Sequence, residues 1–208
     1  MNELHGCQRC PRLTAFRIEQ KSRFPDYHCL PVDGFGATDA RLLIVGLAPG
    51  LHGANATGRP FTGDASGQVL FEMLYQYGFA SHPQSRSCND NLRLINCRVT
   101  NAVKCVPPRN RPAGDEIKSC NPYLRAEIGA LQAGAVILAL GQIAHRSVLR
   151  ALQLPLNRFS FRHLAEYPLP GNLRLVDSYH CSRYNFNTGR LTRAMFARVF
   201  DHLSGLVR

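Results

Sequence analysis

The sequence predicts a three-layer α/β/α sandwich around a short, mainly parallel four-stranded sheet, from three observations. Four short apolar, β-branched runs recur at Leu42–Gly46, Arg98–Val103, Ala135–Gly141 and Leu173–Tyr179. The first and third are almost continuously apolar, as strands covered by helices on both faces must be, and such strands belong to parallel sheets. Segments with helical spacing separate the runs, giving the strand–helix alternation of an α/β fold.

The first strand leads into Gly46–Gly67, GLAPGLHGANATGRPFTGDASG. Its glycines allow positive φ or close approach of a ligand to bare backbone, while Pro49 and Pro60 stiffen the turns. At the carboxyl end of a buried strand this reads as an active-site rim. Val69, Leu70, Met73, Leu74 and Tyr77 then line one helical face. The second strand carries Asn101 just before Ala102-Val103-Lys104-Cys105, and a helix is expected over Gly114–Leu131. The third strand precedes a helix at Gln142–Leu152. The fourth delivers His180 and Ser182 in HCSRYN, and Leu191, Met195, Val199, Leu203 and Leu206 mark a last helix. Ser81–Asn91 and Leu154–Pro170 lack periodicity and read as excursions. With no repeat or linker, one domain is expected over 1–208, with a cysteine-bearing N-terminal segment.

The 208 residues are 45% hydrophobic and 19% charged, a composition that excludes disorder. No stretch approaches the roughly 18 consecutive apolar residues of a membrane span, and Met1-Asn2-Glu3-Leu4-His5 lacks a signal-peptide layout. A cytoplasmic, monomeric protein is expected. Thiols stay reduced there, so eight cysteines suggest metal ligands and buried bystanders rather than disulfides. Against 14 Asp and Glu stand 25 Lys and Arg, a net charge of +11 that serves solubility or polyanion binding. Placement favours nucleic acid. Arg109 and Arg111 fall in PPRNRP, Arg183 in HCSRYN, and Arg190 and Arg193 are expected to open the last helix.

Cys7 and Cys10 form a C-x2-C, whose two sulfurs reach one centre from a single turn; Cys105 and Cys120 can complete four-thiolate coordination. Ligand softness leaves zinc and an iron–sulfur cluster both open. Unligated core cysteines are the alternative, the role assigned to Cys29, Cys88, Cys97 and Cys181.

Three polar constellations sit at strand ends and should converge at one edge of the sheet. Asn101 offers a donor and an acceptor to a nucleobase edge, His180 can donate to a carbonyl oxygen, and Phe61 offers a stacking face. Each has a plainer reading. Asp64 could cap the helix beginning near Ala65, Asn101 could tie two loops, His180 could be structural and Phe61 core.

GLAPGLHGANATGRPFTGDASG, VTNAVKCVPP and HCSRYN, with the C-x2-C and the Cys105–Cys120 pair, resemble the motif set of iron–sulfur uracil-DNA glycosylases, and among them family 5, the B type. Family 4 typically has Glu after the first glycine and a His-Pro-Ser-Pro motif; Leu47 and Cys181 stand there in this chain. The resemblance implies a structural 4Fe-4S cluster on Cys7, Cys10, Cys105 and Cys120. It implies that Gly46, Leu47, Ala48 and Gly50 cradle a flipped base, with Phe61 stacking, Asn101 reading its edge, and His180 and Ser182 beside it. Asp64 becomes the candidate for orienting water or stabilising a sugar cation. The implied partner is DNA carrying uracil, hypoxanthine or other damaged bases, hydrolysed to an abasic site. Arg109, Arg111 and Arg190 would grip phosphates, and Arg183 and Tyr184 would hold the vacated stack open. The rival reading is a non-catalytic, metal-stabilised module that binds damaged or single-stranded DNA.

Overall fold

The computed structural model describes residues 4–207. Its strands are β1 (Phe35–Gly36), β2 (Leu42–Gly46), β3 (Cys97–Asn101), β4 (Val136–Leu140), β5 (Glu166–Leu169) and β6 (Leu173–Ser178). They form one sheet in the order β1-β3-β2-β4-β6-β5. The four expected strands are the inner, parallel ones. The expected strand number is corrected to six, because β1 and β5 add short antiparallel edges. Neither edge has a period to read: β1 is two residues long, and β5 contains Pro168, which only an edge strand tolerates.

The helices are α1 (Pro11–Arg23), α2 (Ala54–Thr57), α3 (Ala65–Gln76), α4 (Gly114–Gly129), α5 (Gln142–Ala151), α6 (Arg183–Asn187) and α7 (Arg193–Val207). Every residue of β2 and β4 is buried, because helices cover both sheet faces. Alternation along β2 sends Leu42 and Ile44 into a core with Leu70, Leu74, Phe196 and Phe200 of α3 and α7. Leu43 and Val45 pack with Leu124, Ile128, Val148 and Leu149 of α4 and α5. Among the described residues no helix is long and apolar enough to cross a membrane.

Helix α1 carries no strong amphipathic signal, since only Leu13, Arg17 and Gln20 are buried. Polar contacts dock it instead. Arg12 donates through Nε and Nη2 to Glu116 Oε1 and Oε2 of α4, both at 2.7 Å. The buried Arg17 donates to the carbonyls of Cys29 and Cys7, each at 3.2 Å. These bonds bring the N-terminal cysteines against the end of β3 and α4. Arg190 lies before α7 rather than in it, because that helix starts at Arg193.

Candidate active site

The carboxyl ends of β2 and β3 stand side by side, with Gly46 in register with Asn101. Over them opens a cavity of about 320 Å³ walled by Leu47, Ala48 and Gly50, by Phe61 and Asp64, and by Asn101, His180 and Ser182. Gly46 lies beneath it: a Cβ there would meet Asn101 Oδ1 and Phe61 Cζ, each at 2.5 Å. Phe61 adopts a left-handed φ of 53°, a conformation costly for a bulky residue. Gly67 permits it, because a Cβ at Gly67 would lie 1.7 Å from the Phe61 carbonyl oxygen. The Phe61 ring, 6% exposed, faces His180 at 25° with 6.4 Å between centroids.

Asp64 uses its two oxygens differently. Oδ1 accepts from Gly67 N at 2.8 Å and so caps α3. Oδ2 is turned toward Gly50 of the cavity wall and toward Gly53 beside it. Ser182 caps α6, accepting from Asn185 N at 3.3 Å, and the Asn185 amide donates to the His180 carbonyl at 2.8 Å. The loop after β6 is thereby fixed at both ends. Neither His180 ring nitrogen nor the Asn101 amide has a hydrogen-bond partner among the described residues. Burial lowers the His180 pKa against the opposing pull of Asp64, so the ring is neutral at pH 7.

A polar groove of about 770 Å³ adjoins the cavity and shares Gly50, Asp64, Ser66 and Asn110 with it. Arg183 lines the groove, as do Gln84, Ser85 and Arg86 from the Ser81–Asn91 excursion. Tyr184 beside it is 71% exposed. Arg109 and Arg111 are exposed in the turn that places Asn110 at the cavity mouth, but neither lines it, and Arg190 sits apart, over the Tyr179 ring.

A single buried cation holds the excursion in place. Arg59 Nη1 donates to Asp90 Oδ1 at 2.6 Å and Ser85 Oγ at 3.1 Å, Nη2 donates to the Cys88 carbonyl at 2.7 Å, and the guanidinium covers the Phe35 ring at 4.3 Å. Burial alone would push the Asp90 carboxyl up, but Arg59 and the amides of Arg86, Ser87 and Leu92 overcome it and hold it at about 2. Lysine cannot reproduce this fork. Arg59→Lys is expected to destabilise the fold by about 1.5–3 kcal/mol in denaturant titrations, with earlier proteolysis within Ser81–Asn91. Unchanged stability and proteolysis would refute the clamp.

The model of the Uracil DNA glycosylase superfamily matches residues 34–204.

The chain belongs to the uracil DNA glycosylase superfamily.

Within it, the chain is 47% identical to a Type-5 uracil-DNA glycosylase of Thermus thermophilus, covering 98% of this chain and 96% of the relative. A Type-5 uracil-DNA glycosylase of Pyrobaculum aerophilum is 42% identical over 96% and 88%. A Type-4 uracil-DNA glycosylase of the same organism reaches 33% over 72% and 62%. The two type-5 relatives thus match over nearly the whole length of this chain, the type-4 relative over less of it.

Cys7, Cys10, Cys105 and Cys120 face one small enclosed pocket with Leu13, Val103 and Tyr123, and none forms a disulfide. Lys104 N donates to Cys120 Sγ at 3.2 Å, and Tyr123 and Ser119 stand beside these cysteines in the same pocket. Among the described residues no three His, Cys, Asp or Glu groups are close enough to ligate one ion. Of the four remaining cysteines, Cys29, Cys97 and Cys181 are buried as expected. Cys88 is exposed, a correction that follows from its place in the groove loop, where only its carbonyl is used.

Sequence reasoning missed Asn110, Ser66 and the Gln84–Arg86 segment. Asn110 carried a readable signal, since Asn tolerates the left-handed φ of 55° that it adopts in PPRNRP. Three histidines, His28, His163 and His180, have pKa values lowered by burial. The unfolded chain then binds more protons than the folded one below the ordinary value of about 6.5, so stability rises with pH through that window. The melting temperature is expected to be lower at pH 5.5 than at pH 7.5 by roughly the linkage these rings supply. A flat profile would show that the folded rings accept protons freely.

Proposed function

We propose that the chain is a monofunctional DNA-repair glycosylase that takes a flipped, deaminated base into the cavity beside Phe61 and hydrolyses its N-glycosidic bond. The supporting observation is the joint placement of a stacking ring, a free Asn amide, a free imidazole and a carboxylate around one nucleobase-sized space, in a chain whose relatives are named uracil-DNA glycosylases. A base laid on Phe61 can offer its polar edge to Asn101. As the bond breaks, the leaving base gains negative charge, which the His180 N–H can stabilise as a donor already in place. Asp64 Oδ2 is available to orient water or to stabilise the oxocarbenium-like sugar. Leu47 and Ala48 contribute no polar side chain, so these groups and backbone N–H donors carry the chemistry. No lysine lines the cavity among the described residues, and Lys104 is held by Thr100 and Glu127. Release is therefore hydrolytic rather than through a Schiff base.

In this reading uracil and hypoxanthine both serve as substrates, the protein works as a cytoplasmic monomer, and Arg86, Arg109, Arg111 and Arg183 meet phosphates while Tyr184 props the vacated stack. Duplexes carrying either base should break on alkali after incubation with the protein. Bound but unbroken DNA with both substrates would sink the enzymatic reading. Binding should weaken as salt rises, through counterion release.

The same reading includes a structural 4Fe-4S cluster on Cys7, Cys10, Cys105 and Cys120. Their thiols share one apolar pocket, and Cys120 Sγ accepts from Lys104 N, which suits cluster sulfurs. When bound, the cluster supplies a crosslink between the N-terminal segment, the β3 end and α4. Purified protein should contain about four irons per chain, and Cys105→Ser should lose both the iron and its visible absorption and melt at lower temperature. Stoichiometric zinc without iron would overturn the assignment.

A further inference from the structure

The proposed chemistry uses one side of His180. Leu47 and His180 also wall a second cavity, of about 340 Å³, nearly the volume of the base pocket. It opens beside the carboxyl ends of β2, β4 and β6, where the strand order reverses, which is the crevice where open α/β sheets bind ligands. Phe161, from the otherwise unexplained Leu154–Pro170 excursion, forms part of its apolar wall with Ile143, which is 38% exposed.

The wall is built rather than incidental. The buried His145 bonds through Nδ1 to Asp177 at 2.8 Å and through Nε2 to the Phe159 carbonyl at 3.1 Å, which pins the excursion two residues before Phe161. Tyr179 is clamped between the His163 ring, stacked at 5.1 Å, and the Arg190 guanidinium at 4.8 Å. Gln142 is exposed at the rim, and Arg190 has no carboxylate partner within 4.0 Å among the described residues. Among the described residues no acidic side chain lines the space. The Phe161 ring, the Gln142 amide and a cation with no carboxylate partner among the described residues together match a nucleotide: base plane, base edge and phosphate.

We propose that this cavity is a subsite for the nucleobase adjoining the flipped nucleotide on the same DNA strand, filled when that neighbour is unpaired. The inference rests on the glycosylase reading for what occupies the first pocket. In a duplex the neighbour would have to leave its stack and its partner, at a cost that a single strand does not bear. The subsite therefore favours single-stranded DNA.

The experiment uses single-stranded oligonucleotides with one uracil and, on its 5′ or 3′ side, either a base or a tetrahydrofuran abasic analogue. Both Kd and the single-turnover rate at subsaturating protein are read. On one side, removing the neighbouring base should weaken the wild-type response by about 5–150-fold, the range of one base–aromatic stack. Phe161→Ala and the exposed Ile143→Ser should respond like wild type on the abasic oligonucleotide, lose that neighbour dependence, and keep the wild-type rate on duplex uracil DNA. The subsite is overturned if the wild type ignores the neighbour on both sides, or if Ile143→Ser, folded by its melting curve, keeps full neighbour dependence. Neighbour-dependent Kd without any uracil release would instead overturn the glycosylase reading and leave the subsite standing.

Discussion

Asn101→Ala and His180→Ala are each expected to slow uracil release by about 10²–10³-fold, the effect of removing one preorganised donor, while DNA affinity stays nearly unchanged. Both side chains wall the base cavity, and neither spends its polar atoms on the fold. The Asn101 amide and the His180 ring lack protein partners among the described residues, so truncation leaves no broken internal hydrogen bond. In the proposed reading, DNA grip belongs to the exposed arginines of the groove and turns. The two variants should therefore separate chemistry from binding. For His180 the neutral ring matters: in the proposed reading its single donated N–H meets the charge that develops on the leaving base, and burial lowers its pKa in favour of that neutral form. The measurement is a single-turnover rate at saturating protein beside a Kd on uncleaved DNA. Equal loss of rate and affinity would assign these residues to general binding, and a lowered melting temperature would assign them to the fold.

Legibility followed the strength of local physical signals. β2 and β4 were readable because strands buried on both faces leave no polar residue to break the run, and α3 and α5 because one face meets the core. Helix α1 was not, since it docks through Arg12 and Arg17, and a salt bridge across 104 residues has no period. The edge strands failed for a related reason: β5 draws its pairing from β6 rather than from its own sequence. Within the cavity, the strand-end residues Asn101 and His180 were legible because parallel strands must place their carboxyl ends together. The Ser81–Asn91 loop was opaque because its shape comes from Arg59, a residue of a different motif, and Phe161 because its position is set by the buried His145.

Asp64 is a residue for which the sequence posed a choice between helix cap and catalytic group; the cap is present, and the proposed reading gives its second oxygen the other role. Oδ1 caps α3 through Gly67 N, while Oδ2 is turned toward Gly50 and Gly53, where the cavity and the groove meet. Asparagine retains the capping oxygen and ranks with aspartate at N-caps, so Asp64→Asn should leave the melting temperature nearly unchanged. It removes the charge and the second acceptor. A water oriented by that oxygen, or a sugar cation stabilised by it, loses its partner, and the single-turnover rate should fall by about 10²–10⁴-fold, the span of positioned acid–base groups. Asp64→Ala removes both roles and should add a stability loss of about 0.5–2 kcal/mol to the same loss of rate. A fall in stability for Ala with full activity in Asn would reduce Asp64 to a cap. The opposite pair of results, a stable and inactive Asn variant, follows only if the oxygen turned toward Gly50 and Gly53 acts on the reacting sugar or water, because the cap itself is common to both side chains.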